Sequence, residues 1–153
     1  MKQAIVTGAT GFIGSYFVEY LVKKKIEVFA LGRKSLDNIS SIRQARLEGS
    51  KYLQIDMNSI HLLKELFIKN NWMVGDSCVF INLAWGGQSK LSDLNVKDQM
   101  MNVIWSVNAF KVSNDLKCNK FLQIGTVEEA FTYKYLTLDY KKNSEYNRHV
   151  IYS

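Results

Sequence analysis

Proline is absent from this sequence of 153 residues, and cysteine occurs only twice. Cys78 and Cys118 are 40 positions apart in the chain and match no metal-binding spacing. Both lie in apolar, strand-like segments, so we expect reduced thiols in the core. His61 and His149 also lack a metal-ligand context, and no metal site is predicted.

Long hydrophobic runs are absent as well. No stretch approaches the roughly 18 consecutive apolar residues of a membrane-spanning helix. The chain enters a short apolar segment, Gln3–Thr7, at once, and it lacks the extended apolar region and small-residue cleavage site of a signal peptide. We therefore expect a cytoplasmic protein with no membrane partner.

Acidic residues are the scarcer charged class, with 14 Asp and Glu against 20 Lys and Arg, and the net charge is +6. Such an excess attracts anions of several kinds, including nucleic acid. The cations are spread along the chain, however, and the densest run, Lys23–Lys25, lies where a helix is predicted to end and complements its dipole. Without a recognised motif or a basic stripe, no nucleic-acid partner is expected.

What the chain does contain is an alternation of short apolar runs and longer segments of helical period. Its length and its 47% hydrophobic content fit one domain, residues 1–153, with a sizeable core. The alternation predicts an α/β fold, a doubly wound parallel sheet with helices on both faces. Five strands are predicted: Gln3–Thr7, Glu27–Leu31, Lys51–Ile55, Cys78–Ala84 and Lys120–Gly125.

Helical stripes separate these strands. The first combines Ile13, Phe17, Leu21 and Val22, and the second combines Leu62, Leu63, Leu66 and Phe67. A longer helix, about Val96 to Asn114, carries a stripe of Met100, Val103, Val107 and Phe110. We interpret this last stripe as core or as an oligomer contact rather than as a ligand site.

The first predicted strand ends in a glycine-rich loop with Gly8, Gly11 and Gly14 in the spacing G-x-x-G-x-x-G. Gly8 permits a tight turn, Gly11 lets the backbone approach a pyrophosphate, and Gly14 lets the following helix pack close to the strand. The helix N-terminus then offers unpaired N–H groups to phosphates. This context predicts a dinucleotide site that also includes Thr10, Phe12 and Ile13.

The string from Thr7 to Gly14, TGATGFIG, resembles the cofactor fingerprint of the extended short-chain dehydrogenase/reductases, the group of NAD(P)-dependent epimerases, dehydratases and ketoreductases of nucleotide sugars. The resemblance implies a Rossmann-type fold truncated after about five strands. It extends along the chain and implies further cofactor contacts at Asp56, Met57, Leu83, Ala84 and Asn102. Taken singly, Asp56 could instead cap the next helix, and Asn102 could be a solvated helix residue.

The end of the second strand bears on the choice of dinucleotide. An acidic residue there binds the ribose hydroxyls of NAD, whereas a 2′-phosphate needs a cation. This chain has Arg33 and Lys34 at that place, so we predict NADP, with NAD as the alternative.

The resemblance also implies catalytic residues. Thr126 stands where the family has the hydroxyl that binds the reacting sugar oxygen, and Tyr152 stands where it has the proton-transferring tyrosine. The lysine of the family's Tyr-x-x-x-Lys motif would fall at position 156, so we expect little turnover from this chain alone. Val127 replaces the aspartate of the dehydratases, which favours an epimerase or a 4-ketoreductase.

Two functions remain open at this point. The first is an NADP-dependent epimerase or reductase of a nucleotide sugar, and the second is a non-catalytic dinucleotide-binding regulatory module on the same fold. The fifth strand and the apolar face of the long helix are predicted to be exposed unless another chain covers them. We therefore expect a homodimer or a larger association through the long helix.

Overall fold

The structure, a computed structural model, describes residues 1–87, 96–125 and 130. Its strands are β1 (Gln3–Thr7), β2 (Glu27–Gly32), β3 (Lys51–Gln54), β4 (Cys78–Asn82) and β5 (Lys120–Gln123). Its α-helices are α1 (Phe12–Lys23), α2 (Ser41–Leu47), α3 (Leu63–Lys69) and α4 (Val96–Asp115). Two short 3-10 helices cover Leu36–Asn38 and Met57–Leu62.

The five strands form one parallel sheet in the order β3-β2-β1-β4-β5. The chain builds outward from β1 to β3 and then returns to the other side of β1 with β4. This reversal is the switch point at which open α/β sheets form a crevice beyond the carboxyl ends of their strands. The predicted doubly wound fold is confirmed.

Side chains of β1 alternate between the two faces of the sheet, because successive residues of a strand point to opposite sides. Ile5 belongs to a core cluster with Phe67 of α3 and Val112 of α4. Ala4 and Val6 belong to a second cluster with Leu21 of α1 and Leu47 of α2. Helices therefore cover both faces, as predicted.

Several predicted boundaries differ from the structure by one or two residues. β4 ends at Asn82 rather than Ala84, because the amides of Leu83 and Ala84 leave the ladder and donate to the hydroxyl of Thr7, at 3.2 and 3.1 Å. β5 ends at Gln123 rather than Gly125, and β3 ends at Gln54.

Ile13 does not pack with the rest of its predicted stripe, and of the two interpretations left open for the α4 stripe the structure excludes one. Ile13 is 63% exposed, while Leu21 of the same predicted stripe is buried. The α4 stripe is not core: Met100, Val103 and Phe110 are each more than half exposed. The opposite side of α4, with Ala109 and Val112, packs on the sheet instead.

The described chain divides into two compact units, one of residues 1–84 and 105–123 and the other formed around residues 85–104. The sheet and helices α1 to α3 lie in the first unit. The first half of α4 belongs to the second unit. Within the described residues, no helix is long and apolar enough to cross a membrane.

Candidate functional site

At Gly8 and Gly14 the glycine-rich loop is packed too tightly to accommodate a side chain. Gly8 has a φ of +66°, and a Cβ on it would lie 2.9 Å from backbone atoms of Leu83 and Ala84. A Cβ on Gly14 would lie 2.1 Å from the carbonyl oxygen of Gly8. The tight turn and the close helix packing predicted for these two glycines are therefore present.

The N-terminus of α1 emerges from this loop with unused hydrogen-bond donors. Gly11 is its N-cap residue and supplies no side-chain cap, and its first turn contains no acidic residue. The amides of Phe12, Ile13 and Gly14 have no carbonyl partner within the helix, because an α-helix leaves its first N–H groups free. Phe12 and Ile13 are exposed, so an anion can reach these amides along with the positive end of the helix dipole.

A cleft of about 460 Å³ adjoins the loop. Thr10 and Gly11 line it on one side, and Lys34, Asn38, Ser40 and Arg43 line it on the other. Among the described lining residues, two carry a positive charge and none carries a negative one. The glycine loop, the free amides and this cationic cleft together fit the phosphates and one ribose of a dinucleotide.

The two cations predicted from the end of β2 have different surroundings. Lys34 lines the cleft, and its backbone carbonyl accepts a hydrogen bond from the hydroxyl of Tyr52. Burial raises the pKa of Tyr52, which keeps this hydroxyl a donor. Arg33 is exposed, and its carbonyl accepts from the side chain of Gln54 at 3.2 Å.

Arg43 belongs to the cleft and was missed in the sequence. It lies on α2, where it is half-buried, and its Nη1 donates to the carbonyl of Thr10 at 3.2 Å. Only Leu47 of α2 is buried, so this helix has no apolar stripe that could have revealed it.

A buried polar network closes the carboxyl ends of β1, β4 and β5 and was also missed. The hydroxyl of Thr7 donates to Asn82, and the Asn82 amide donates to Gln123 at 2.8 Å and to Ser106 at 3.4 Å. The signal available in the sequence was a polar residue at the end of each apolar strand. The network fixes Leu83 and Ala84, two predicted cofactor contacts, through their hydrogen bonds to Thr7.

Asp56 and Met57 follow β3 at the same edge of the sheet. One carboxylate oxygen of Asp56 accepts from the amide of Asn58 at 2.9 Å, so Asp56 caps the 3-10 helix that begins at Met57. Met57 packs against the core cluster around Phe67. The capping role is thus observed, and the predicted cofactor contact of these two residues stays a prediction.

Asn102 lies in the second unit and is buried, with 1% of its surface exposed. Its side-chain oxygen accepts from the N–H of Gly86 at 2.7 Å, and its side-chain nitrogen donates to the carbonyl of Gly86 at 3.0 Å. Asn102 therefore binds both backbone polar groups of Gly86. It also donates to Gln99 at 3.1 Å. Asn102 is therefore not a solvated helix residue, and its cofactor contact stays a prediction.

The two predicted catalytic residues, Thr126 and Tyr152, lie outside the described residues, as does Val127. Their roles and the expected lack of turnover stay predictions.

Comparisons with known proteins agree with the resemblance. The model of the NAD dependent epimerase/dehydratase family matches residues 4–153. A curated UDP-glucose 4-epimerase of Cyamopsis tetragonoloba is 29% identical over 129 residues, which cover 79% of this chain and 35% of that protein. The chain thus spans about a third of the length of this relative.

Solved structures share the fold. A UDP-glucose 4-epimerase of Bifidobacterium longum, in complex with NAD+ and UDP, has a TM-score of 0.63 at 20% identity. The match covers 82% of this chain and 37% of the epimerase chain. A dTDP-glucose 4,6-dehydratase of Bacillus anthracis, in complex with NAD, has a TM-score of 0.60 at 18% identity. This match covers 84% of this chain and 38% of the dehydratase chain. At such identities the solved structures show the fold alone. The family model matches residues 4–153, and the chain therefore belongs to the NAD dependent epimerase/dehydratase family.

Proposed function

We propose that this chain forms the NADP-binding part of a nucleotide-sugar epimerase or 4-ketoreductase. The observation that carries the proposal is the glycine loop, where Gly8 and Gly14 leave no room for a side chain and α1 presents free amides beyond Gly11. Such a loop at a sheet switch point fits a pyrophosphate. Membership of the family supplies the chemical context.

The substrate class is supported by the relatives. The curated relative is a UDP-glucose 4-epimerase, and the solved structures include enzymes of UDP- and dTDP-linked sugars. Since the chain spans about a third of the curated relative, the substrate and the activity of the whole protein are part of this proposal.

The chemistry divides between cofactor and protein. When bound, a nicotinamide cofactor supplies the acceptor or donor of a hydride. The described residues bind and orient it: the loop holds the pyrophosphate, and Thr7 fixes the Leu83–Ala84 backbone below the crevice. Thr126 is proposed to bind the reacting oxygen and Tyr152 to transfer its proton. Valine at position 127 favours an epimerase or reductase over a dehydratase.

The preference for NADP is supported by the charge beside the loop. β2 ends in Gly32, where a carboxylate would bind the ribose of NAD, and the next two residues are Arg33 and Lys34. Lys34 lines the cleft, and Arg33 is exposed close by in the chain. A cationic cleft favours a 2′-phosphate over a free hydroxyl.

Calorimetric titration of the chain with NADPH and NADH tests the cofactor proposal. We expect micromolar binding of NADPH that weakens in Lys34→Ala, which removes a positive charge from the lining of the cleft. The loss should be about 1–3 kcal/mol, the scale of a charge-assisted hydrogen bond. Lys69→Ala, which removes an exposed cation at the end of α3, is the control and should bind as the parent does. A folded chain that binds neither nucleotide contradicts the proposal.

We also propose self-association through α4. Its exposed apolar stripe contains Val96, Met100, Val103, Ile104, Val107 and Phe110, with exposed fractions between 46% and 62%. Exposed apolar side chains that recur along one face of a helix are typical of a protein–protein contact.

We further propose a cytoplasmic location. Both cysteines are free, as is typical of proteins in a reducing compartment.

A further inference from the structure

The side chain of Arg43 lines the cleft and is already held against the glycine loop. Its guanidinium donates to the carbonyl of Thr10 at 3.2 Å, and the residue is half-buried. A guanidinium has five N–H donors, so one hydrogen bond to Thr10 leaves several donors for a ligand. A side chain ordered in advance loses less rotamer freedom on binding than a free one.

The cleft also offers polar partners suited to a phosphate. Asn38 and Ser40 line it beside Lys34 and Arg43, and the described lining carries no acidic residue. Arginine binds phosphate through paired donors, whereas lysine acts as a point charge. Arg33, by contrast, is exposed and is not among the residues that line the cleft.

We propose that Arg43 is the residue that selects the 2′-phosphate of the cofactor, with Lys34 as a supporting charge. This inference rests on the proposed binding of NADP and assigns its specificity to α2 rather than to the end of β2. Arg43 contacts the phosphate directly and keeps its hydrogen bond to Thr10, so that the same side chain joins the glycine loop to the phosphate subsite.

A purely structural role makes a different prediction. If Arg43 only tied α2 to the glycine loop, its loss would weaken the binding of every adenine nucleotide, with or without a 2′-phosphate. If Arg43 reads the phosphate, its loss weakens only the ligands that carry one. The ratio of the two affinities therefore separates the roles.

The experiment measures the affinities of the chain for 2′,5′-ADP and 5′-ADP at fixed, low ionic strength, since salt screens the contact. Arg43→Gln keeps a donor for the Thr10 carbonyl but removes the charge. We expect it to lose the preference for 2′,5′-ADP by about ten- to a hundredfold, with 5′-ADP binding unchanged. Arg43→Lys should restore part of the preference.

Arg46→Ala is the matched control. Arg46 lies on the same helix but stacks on Tyr16, 3.5 Å from the ring centre, and pairs with Glu19. It is outside the described lining of the cleft. Its loss should leave the preference intact, which would show that disturbance of α2 alone does not abolish it.

The outcomes distinguish the two proposals. An equal loss of both ligands in Arg43→Gln overturns the role of Arg43 in specificity, as does an unchanged preference. Loss of the preference in Arg33→Ala, with none in Arg43→Gln, overturns this inference and leaves NADP binding in place. A parent chain that binds 5′-ADP and 2′,5′-ADP equally overturns both the role of Arg43 and the proposed preference for NADP.

Discussion

Thr7 satisfies three polar groups with one hydroxyl. It donates to Asn82 and accepts from the amides of Leu83 and Ala84, and it is buried. Replacement by valine keeps the shape but leaves two half-buried amides and the buried Asn82 oxygen without this partner. We expect Thr7→Val to lower the free energy of unfolding in urea by about 1–3 kcal/mol.

Thr7→Ser is the control for this prediction, because it retains the hydroxyl and removes only a methyl group. It should recover most of the stability. Equal stability of Thr7→Val and the parent chain would contradict the assigned network.

Gly14 gives a second prediction at this scale. A Cβ there would meet the Gly8 carbonyl oxygen at 2.1 Å, and backbone atoms cannot move aside as a flexible side chain can. Gly14→Ala should therefore destabilise the chain by about 3 kcal/mol or more, at the upper end of overpacking, and abolish nucleotide binding. Both are measured by urea unfolding and by calorimetry.

Gly75→Ala is the matched glycine control. A Cβ at Gly75 would lie 3.3 Å from the side-chain oxygen of Gln3, which accepts a hydrogen bond from the Gly75 amide and needs to move by only a few tenths of an ångström. We expect a change below about 0.5 kcal/mol, as for ordinary surface substitutions. A similar cost at the two positions would show that close packing of the loop is not the cause.

Single residues were predictable from sequence where a motif fixes the backbone. The roles of Gly8 and Gly14 follow from their spacing after a strand, and the structure confirms the close approach. Arg43 could not be predicted in the same way, because its contact with Thr10 crosses 33 positions of chain and α2 carries no periodic signal. The Asn82 network likewise depends on which strands become neighbours.

At the scale of elements, β4 and β5 bring the two cysteines together. The amide of Asn119 donates to the Cys78 carbonyl at 2.9 Å, and both thiols join the same core cluster. A hydrogen bond with Cys118 and burial raise the pKa of the Cys78 thiol, whereas the hydrogen bond from Cys78 lowers the pKa of Cys118.

This arrangement predicts selective alkylation. Cys118 is half-buried, and its lowered pKa gives it more thiolate near neutral pH than an ordinary cysteine has. With iodoacetamide under reducing conditions, Cys118 should react first, and its reaction should begin at a lower pH than that of a free cysteine. Peptide mapping by mass spectrometry measures the two rates.

Cys118→Ser is the control, and the fast phase of labelling should disappear in it. Modification of Cys78 before Cys118 in the folded chain would contradict the prediction. Sequence reasoning expected two reduced core thiols, and both are free, but their pairing depends on the register of β4 and β5.

Helices and strands could be predicted where burial requires a recognisable pattern of apolar residues in the sequence. All five strands were predicted. β1, β2 and β4 are buried on both faces and are therefore mostly apolar, whereas the short edge strands β3 and β5 have an apolar pair between polar end residues. α2 was missed because it buries little, with Leu47 as its buried residue. The α4 stripe was found correctly as a pattern, but a helical period alone does not say whether the face meets the core or solvent.

Among the described elements, α4 carries the most exposed large hydrophobic side chains. We expect the chain to self-associate through it, and Val107→Glu should shift the mass in sedimentation equilibrium toward that of one chain, 17.6 kDa. A charge in the centre of an apolar contact is costly to desolvate.

Lys69→Gln is the matched control, since it changes the net charge by the same amount at an exposed position of a different helix, α3. It should associate as the parent chain does. A parent chain that sediments as a monomer at high concentration would contradict the proposed contact.

The position of β1 has a consequence for synthesis of the protein. β1 is made before the other four strands of the sheet, yet it occupies the middle of the sheet, and its partner Asn82 follows Thr7 by 75 residues. At about 5–20 residues per second, one edge of β1 stays unpaired for about 4–15 seconds of translation. During that interval the nascent chain carries an open apolar strand, so the yield of folded protein should depend on elongation rate and on the chaperones that bind such strands.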